Sequence, residues 1–89
     1  MRQPDTIIEP ETLALRALGW TLAEPDRADR LLSVTGIDPA DLRARIDDPA
    51  VLGAALDFLL ANERDLVACA EELGVAPATL ARAAGKLVR

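Results

Sequence analysis

A chain of 89 residues with net charge −5 and pI near 4.5 makes one small domain, and its acidity argues against phosphate backbones or anionic membranes as its main targets. It has no histidine or tyrosine and a single cysteine, Cys69, so the commonest general base, a phenolic acid, an internal disulfide and any recognisable metal-ligand cluster are all missing. The composition therefore points to a non-enzymatic protein without cofactors, and the lack of a basic, then apolar, leader predicts a cytoplasmic location.

Residues 1–9 show no helical periodicity and predict a loose N-terminal arm, in which Ile7 and Ile8 form the apolar feature. The helical domain is expected over residues 10–89. Its first helix starts at Pro10 or Glu11, because proline fits the first turn and a carboxylate suits the positive end of the helix dipole. Leu13, Ala17 and Trp20 form one apolar stripe and Leu15, Leu18 and Leu22 another, so a wide arc is expected to be covered as far as about Ala23. Pro25 ends this helix. A second, from about Asp26, turns Ala28, Leu31, Leu32 and Thr35 inward and leaves Asp26, Arg27, Asp29 and Arg30 solvated. Gly36 supplies its left-handed stop.

Asp38 before Pro39 is an N-cap followed by proline at the first helical position, and it opens a short third helix that buries Leu42 and Ile46. The same start recurs at Asp48 and Pro49. It opens P-A-V-L-G-A-A-L-D-F-L-L-A, residues 49–61, apolar on nearly every side with Asp57 as its one charge. Such a segment is the central helix of a bundle, since it falls well short of the roughly 20 residues that span a bilayer. Asp57 is expected to face solvent or to pair with an arginine such as Arg16. Asn62 separates this helix from a fifth, the alternative being one long helix from Pro49 to Leu73. The fifth buries Leu66, Val67, Ala70 and Leu73 and stops at Gly74. The last starts at Pro77 and buries Leu80, Ala84 and Leu87. The predicted fold class is all-α, a compact bundle of five or six short helices.

Shifting the chain on itself superimposes Gly36, Ile37, Pro39, Ala40 and Leu42 on Gly74, Val75, Pro77, Ala78 and Leu80, and Trp20 on Phe58. This pattern suggests an internal duplication, residues 11–46 and 49–87, as two similar three-helix units.

Two surfaces could carry a function. The stretch L-V-A-C-A-E-E-L-G-V-A-P-A-T-L-A-R, Leu66 to Arg82, resembles a helix-turn-helix, with Ala70, Gly74 and Leu80 at the places of its small, turn and packing residues. A nucleic-acid reading would use Thr79, Arg82, Lys86 and Arg89. Against it, the start of the last helix offers Ala78, Thr79, Ala81, Arg82 and Gly85, few of which read base edges, so DNA is not the expected partner. Cations near a helix C-terminus have a plainer role in complementing its dipole. The first expectation is instead a protein-interaction module, whose partner could be a second copy of the chain, with Ile7, Ile8 and Trp20 as candidate contacts. Trp20 reads first as the chief core aromatic, on the stripe of Leu13 and Ala17, and as a partner anchor only in the alternative, and Cys69 reads as a small, half-buried core residue.

The blocks P-E-T-L-A-L-R-A-L-G-W, T-G-I-D-P-A-D-L-R-A-R, D-P-A-V-L-G-A-A-L-D-F-L-L-A-N-E and L-G-V-A-P-A-T-L-A-R-A are similar to a family of short, all-helical alphaproteobacterial proteins known as a domain of unknown function. The resemblance spans about Pro10 to Leu87. It implies a bacterial cytosolic helical protein and brings no catalytic residues with it.

Overall fold

A computed structural model describes residues 9–87, which form six helices and no strand. They are α1 (Pro10–Leu22), α2 (Pro25–Thr35), α3 (Pro39–Ala44), α4 (Pro49–Leu60), α5 (Glu63–Leu73) and α6 (Pro77–Leu87). Five of the six begin on proline, whose missing N–H costs nothing in a first turn and whose fixed φ suits the helix. None of the described helices is long and apolar enough to cross a membrane.

Side-chain caps fix three of the starts. The Asp38 and Asp48 carboxylates accept the N–H groups of Ala40 (3.0 Å) and Ala50 (2.9 Å), opening α3 and α4. The Ala50 amide holds the Asp48 carboxyl below the usual carboxylate value, against a smaller desolvation and with help from Arg45 at 3.3 Å. Asn62 is extended and accepts from Asp65 N–H at 3.2 Å, so residues 49–73 are two helices rather than one. Gly36 (φ 73°) and Gly74 (φ 75°) end α2 and α5 in the left-handed conformation.

At the centre α1, α4 and α6 pack on one another, while α2 lies on α1 and α4, and α5 on all three. α1 contributes Leu13, Ala14, Ala17, Leu18 and Thr21 to the interior, and the Thr21 hydroxyl donates to Ala17 O at 2.9 Å. α4 buries Val51, Leu52, Ala55, Leu56, Phe58 and Leu59. It is not covered all round, because Ala50, Asp57 and Leu60 face outward. α6 adds Leu80, Ala83 and Ala84. α3 packs only lightly, with Leu42 its one buried residue.

Two expectations about the core fail for the same geometric reason. Leu15 is 43% exposed, because α1 meets its neighbours through the arc of Leu13, Ala14, Ala17, Leu18 and Thr21, and Leu15 lies beyond its edge. Val67 is likewise exposed. α5 turns Leu66, Cys69, Ala70 and Leu73 inward, and Val67 sits about 100° round the helix from Leu66.

The halves share the order of their elements: each runs helix, helix, left-handed glycine, proline-started helix. They differ in the third helix, since α6 is 11 residues long and wedged against α1 and α4, whereas α3 has 6 residues and stays at the edge.

Replacing Gly36 or Gly74 by alanine is expected to destabilise the protein by about 1–2 kcal/mol, the cost of a side chain in the left-handed region, since the added carbon itself meets nothing within 4 Å. Gly53→Ala should have the opposite sign. Its new carbon meets Leu87 Cβ at 3.8 Å, an ordinary contact, and alanine is preferred in a helix interior by about 1 kcal/mol. Urea unfolding of the three variants checks both signs.

Candidate functional site

The aromatics lie at the rim of the core under arginines from α2. Trp20 is half-buried near the end of α1, and the Arg27 guanidinium stacks 3.6 Å from its ring centroid while donating to Trp20 O. Arg27 therefore does not lie on a solvated face: it is half-buried, its Nε has no hydrogen-bond partner, and its pairing with Glu24 is long at 3.9 Å. Arg30, three residues on, reaches Asp65 of α5 at 3.1 Å and lies 5.6 Å from the Phe58 ring centroid. Trp20 is thus a half-buried aromatic at the edge of the core with the Arg27 guanidinium over its ring. The sequence shows the aromatics, but not that arginines on an apparently solvated α2 face would cover them.

Cys69 is fully buried in α5, more so than expected. Burial pushes its thiol up to about 11, against a weaker downward pull from Arg27 and with a further upward push from Asp65. That suits a packed thiol and not a nucleophile. Among the described residues no group of three His, Cys, Asp or Glu side chains is placed to hold a metal ion.

The candidate nucleic-acid residues divide. Thr79 is buried at 8% exposure and so is not part of an exposed reading face, because α6 seats its first turn against the bundle through Thr79 and Leu80. Its hydroxyl accepts from Arg82 at 3.5 Å. Arg82 and Lys86 are exposed on α6, with Glu71 and Glu72 exposed near the end of α5. Arg89, Ile7 and Ile8 lie outside the described residues.

The open apolar surface lies elsewhere. Leu22 at the end of α1, Leu32 of α2, and Pro39, Leu42, Arg43 and Ile46 on and after α3 enclose a groove of about 200 Å³. Its walls are aliphatic and Arg43 is its one charge. A second groove, of about 330 Å³, lies between the first turns of α1 and α4 and is lined by Glu11, Thr12, Leu15, Asp47, Pro49 and Leu52. Leu15 and Leu22 share one flank of α1, and the adjacent residues Ile46 and Asp47 border one groove each. The grooves therefore follow one another along that flank. Leu22, Leu42 and Ile46 were legible as apolar, whereas the opening between them depends on how short α3 is and how little it covers.

A family described as a protein of unknown function (DUF3572) matches residues 8–88. The chain belongs to that family. The match takes in all six helices, so the DUF3572 assignment applies to the whole bundle and to both grooves. Neither a curated protein nor a solved structure matches the chain.

Removing the Arg27 side chain should expose the single tryptophan: Arg27→Ala is expected to shift Trp20 emission to the red and to lower stability by about 1 kcal/mol, from lost stacking and lost cover by the side-chain stem. Cys69 should resist a thiol reagent until the protein unfolds. Because the folded thiol is held at about 11 against an ordinary 9.0, the folded state binds more protons between those values, and stability should fall as pH rises through that window. Urea midpoints of the wild type and of Cys69→Ala, measured from pH 8 to pH 11, test this, the variant being expected to lose that part of the slope.

Proposed function

We propose that the protein is a non-enzymatic protein-interaction module that receives an apolar side chain of its partner in the groove between α1, α2 and α3. The observation that carries this reading is the groove itself, an aliphatic recess left open by the short α3, with Arg43 at its edge. An aliphatic recess beside a single guanidinium suits an apolar side chain with a carboxylate nearby. Seating one leucine-sized side chain contributes about 1.5–3 kcal/mol. A micromolar complex needs about 8 kcal/mol, so the partner must also contact the surfaces of α2 and α3 around the recess.

The second reading, a nucleic-acid binder, is favoured by the exposed Arg82 and Lys86 on the helix that follows the Gly74 turn. The net charge of −5 and the exposed Glu71 and Glu72 oppose it.

A photo-crosslinking residue at position 43, in cells of the source organism, is expected to trap a discrete protein that the same residue at position 64 does not. Arg43→Glu and Ile46→Ala, each in the folded protein, should weaken capture tenfold or more. Equal capture by these variants would remove the groove from the function. Sedimentation of the purified protein shows whether the trapped protein is a second copy. In parallel, affinity for duplex DNA that falls steeply with salt and is lost in Arg82→Ala with Lys86→Ala would favour the second reading.

A further inference from the structure

Arg27, Arg30 and Arg45 are each paired with a carboxylate, at 3.9, 3.1 and 3.3 Å, and Arg82 reaches the Thr79 hydroxyl. Arg43 differs. It is exposed in the last turn of α3 and lines the groove formed with Leu22, Leu32, Pro39, Leu42 and Ile46, and among the described residues its guanidinium has no ion pair or hydrogen bond. We propose that this groove captures the C-terminal residue of the partner protein, seating a leucine-sized side chain between the aliphatic walls and holding the α-carboxylate on Arg43. The inference rests on the reading that the groove receives a protein partner, and adds which part of that partner enters.

Size, polarity and charge select this occupant. The groove's volume of about 200 Å³ is on the order of seven water molecules at about 30 Å³ each, room for one branched aliphatic side chain. An amphipathic helix lays down several anchors, at i, i+3, i+4 and i+7, and the recess holds one. Polarity decides between the end of a chain and its middle. Arg43 carries the only polar side-chain atoms of the lining, and a guanidinium has five donors and no acceptor. A terminal residue bears its side chain and its carboxylate on the same Cα, so an acceptor-only group meets a donor-only one in the forked geometry that arginine makes with carboxylates. An internal residue puts the N–H of its successor at that place, a donor facing donors.

Charge separates the two grooves. The one between the first turns of α1 and α4 is lined by Glu11 and Asp47, which repel a carboxylate. Of the two, the groove at α3 alone joins an aliphatic recess to a cation.

Two measurements test this. The first is a methyl NMR titration of the full-length protein with an acetylated pentapeptide of four alanines and a final leucine, as the free acid and as the C-terminal amide. The acid is expected to move the methyls of Leu22, Leu42 and Ile46 with a dissociation constant of about 1 mM, and the amide to bind at least tenfold more weakly. Arg43→Gln, at an exposed position, should abolish that difference and leave the rest of the spectrum unchanged. Equal binding of acid and amide, or a preference that survives Arg43→Gln, overturns the proposal, as does an acid that moves none of the three residues. The second measurement places a photo-crosslinking residue at position 40, one turn from Arg43 on α3, in cells of the source organism, which keeps the guanidinium in place. The trapped fragment is expected to end at the partner's own C-terminus. An internal fragment overturns this inference and leaves the partner reading standing, whereas the absence of any trapped protein removes both.

Discussion

The structure depends on how closely α1, α4 and α6 approach. With one tryptophan and one phenylalanine in the chain, its core cannot be filled by large rings, and it is built from leucines set between alanines. Ala14, Ala17, Ala55, Ala83 and Ala84 are all nearly inaccessible, and a carbon added at Gly53 of α4 would lie in ordinary contact with Leu87 on α6. Small residues at the crossings shorten the distance between axes, and the leucines beside them interdigitate at the density of a well-packed interior. The price is a thin molecule, since three helices in close contact leave little interior for the other three to share.

The peripheral helices are accordingly held by other means. α2 buries one residue completely, Leu31, and adds the Arg27 stack on Trp20 and the Arg30 contacts with Asp65 and Phe58. Exposed ion pairs contribute little on their own, typically about 0–1 kcal/mol. The hold of Arg30 is improved by its partner, because Asp65 stands in the first turn of α5, where the helix dipole favours a carboxylate. α3 has still less, with Leu42 and its Asp38 cap. The walls of the groove at α3 thus belong to the part of the fold with the least buried surface, which is where binding surfaces that adapt to a partner tend to be found.

Much of the fold was legible because its punctuation is local. Proline at the first helical position, aspartate or asparagine before it and glycine after the last turn act through neighbouring backbone atoms, so Pro39, Asp48, Asn62, Gly36 and Gly74 announce boundaries that the structure reproduces. What is decided between helices was not legible. Periodicity gave α1 a wide apolar arc, but which edge of the arc stays open depends on where α4 and α6 land, and Leu15 lies on the uncovered edge. Thr79 reads as a surface residue and is buried by the angle at which α6 enters the bundle. Arg27 reads as solvated and lies across an indole, since a long side chain can lay its stem and guanidinium on an apolar face while its pattern position looks polar. The groove at α3 follows from a length, six residues, that leaves Leu22, Leu32 and Ile46 short of a cover.

The position of α6 has a consequence for how the protein is made. It follows the other five described helices in the chain, yet it packs against both α1, the first of them, and α4. Until Pro77–Leu87 has emerged, the two inner helices keep an apolar face without its partner, and the nascent chain cannot close its core one helix at a time. A product that terminates before α6 lacks that cover and presents the leucines and alanines of α1 and α4 to chaperones and proteases.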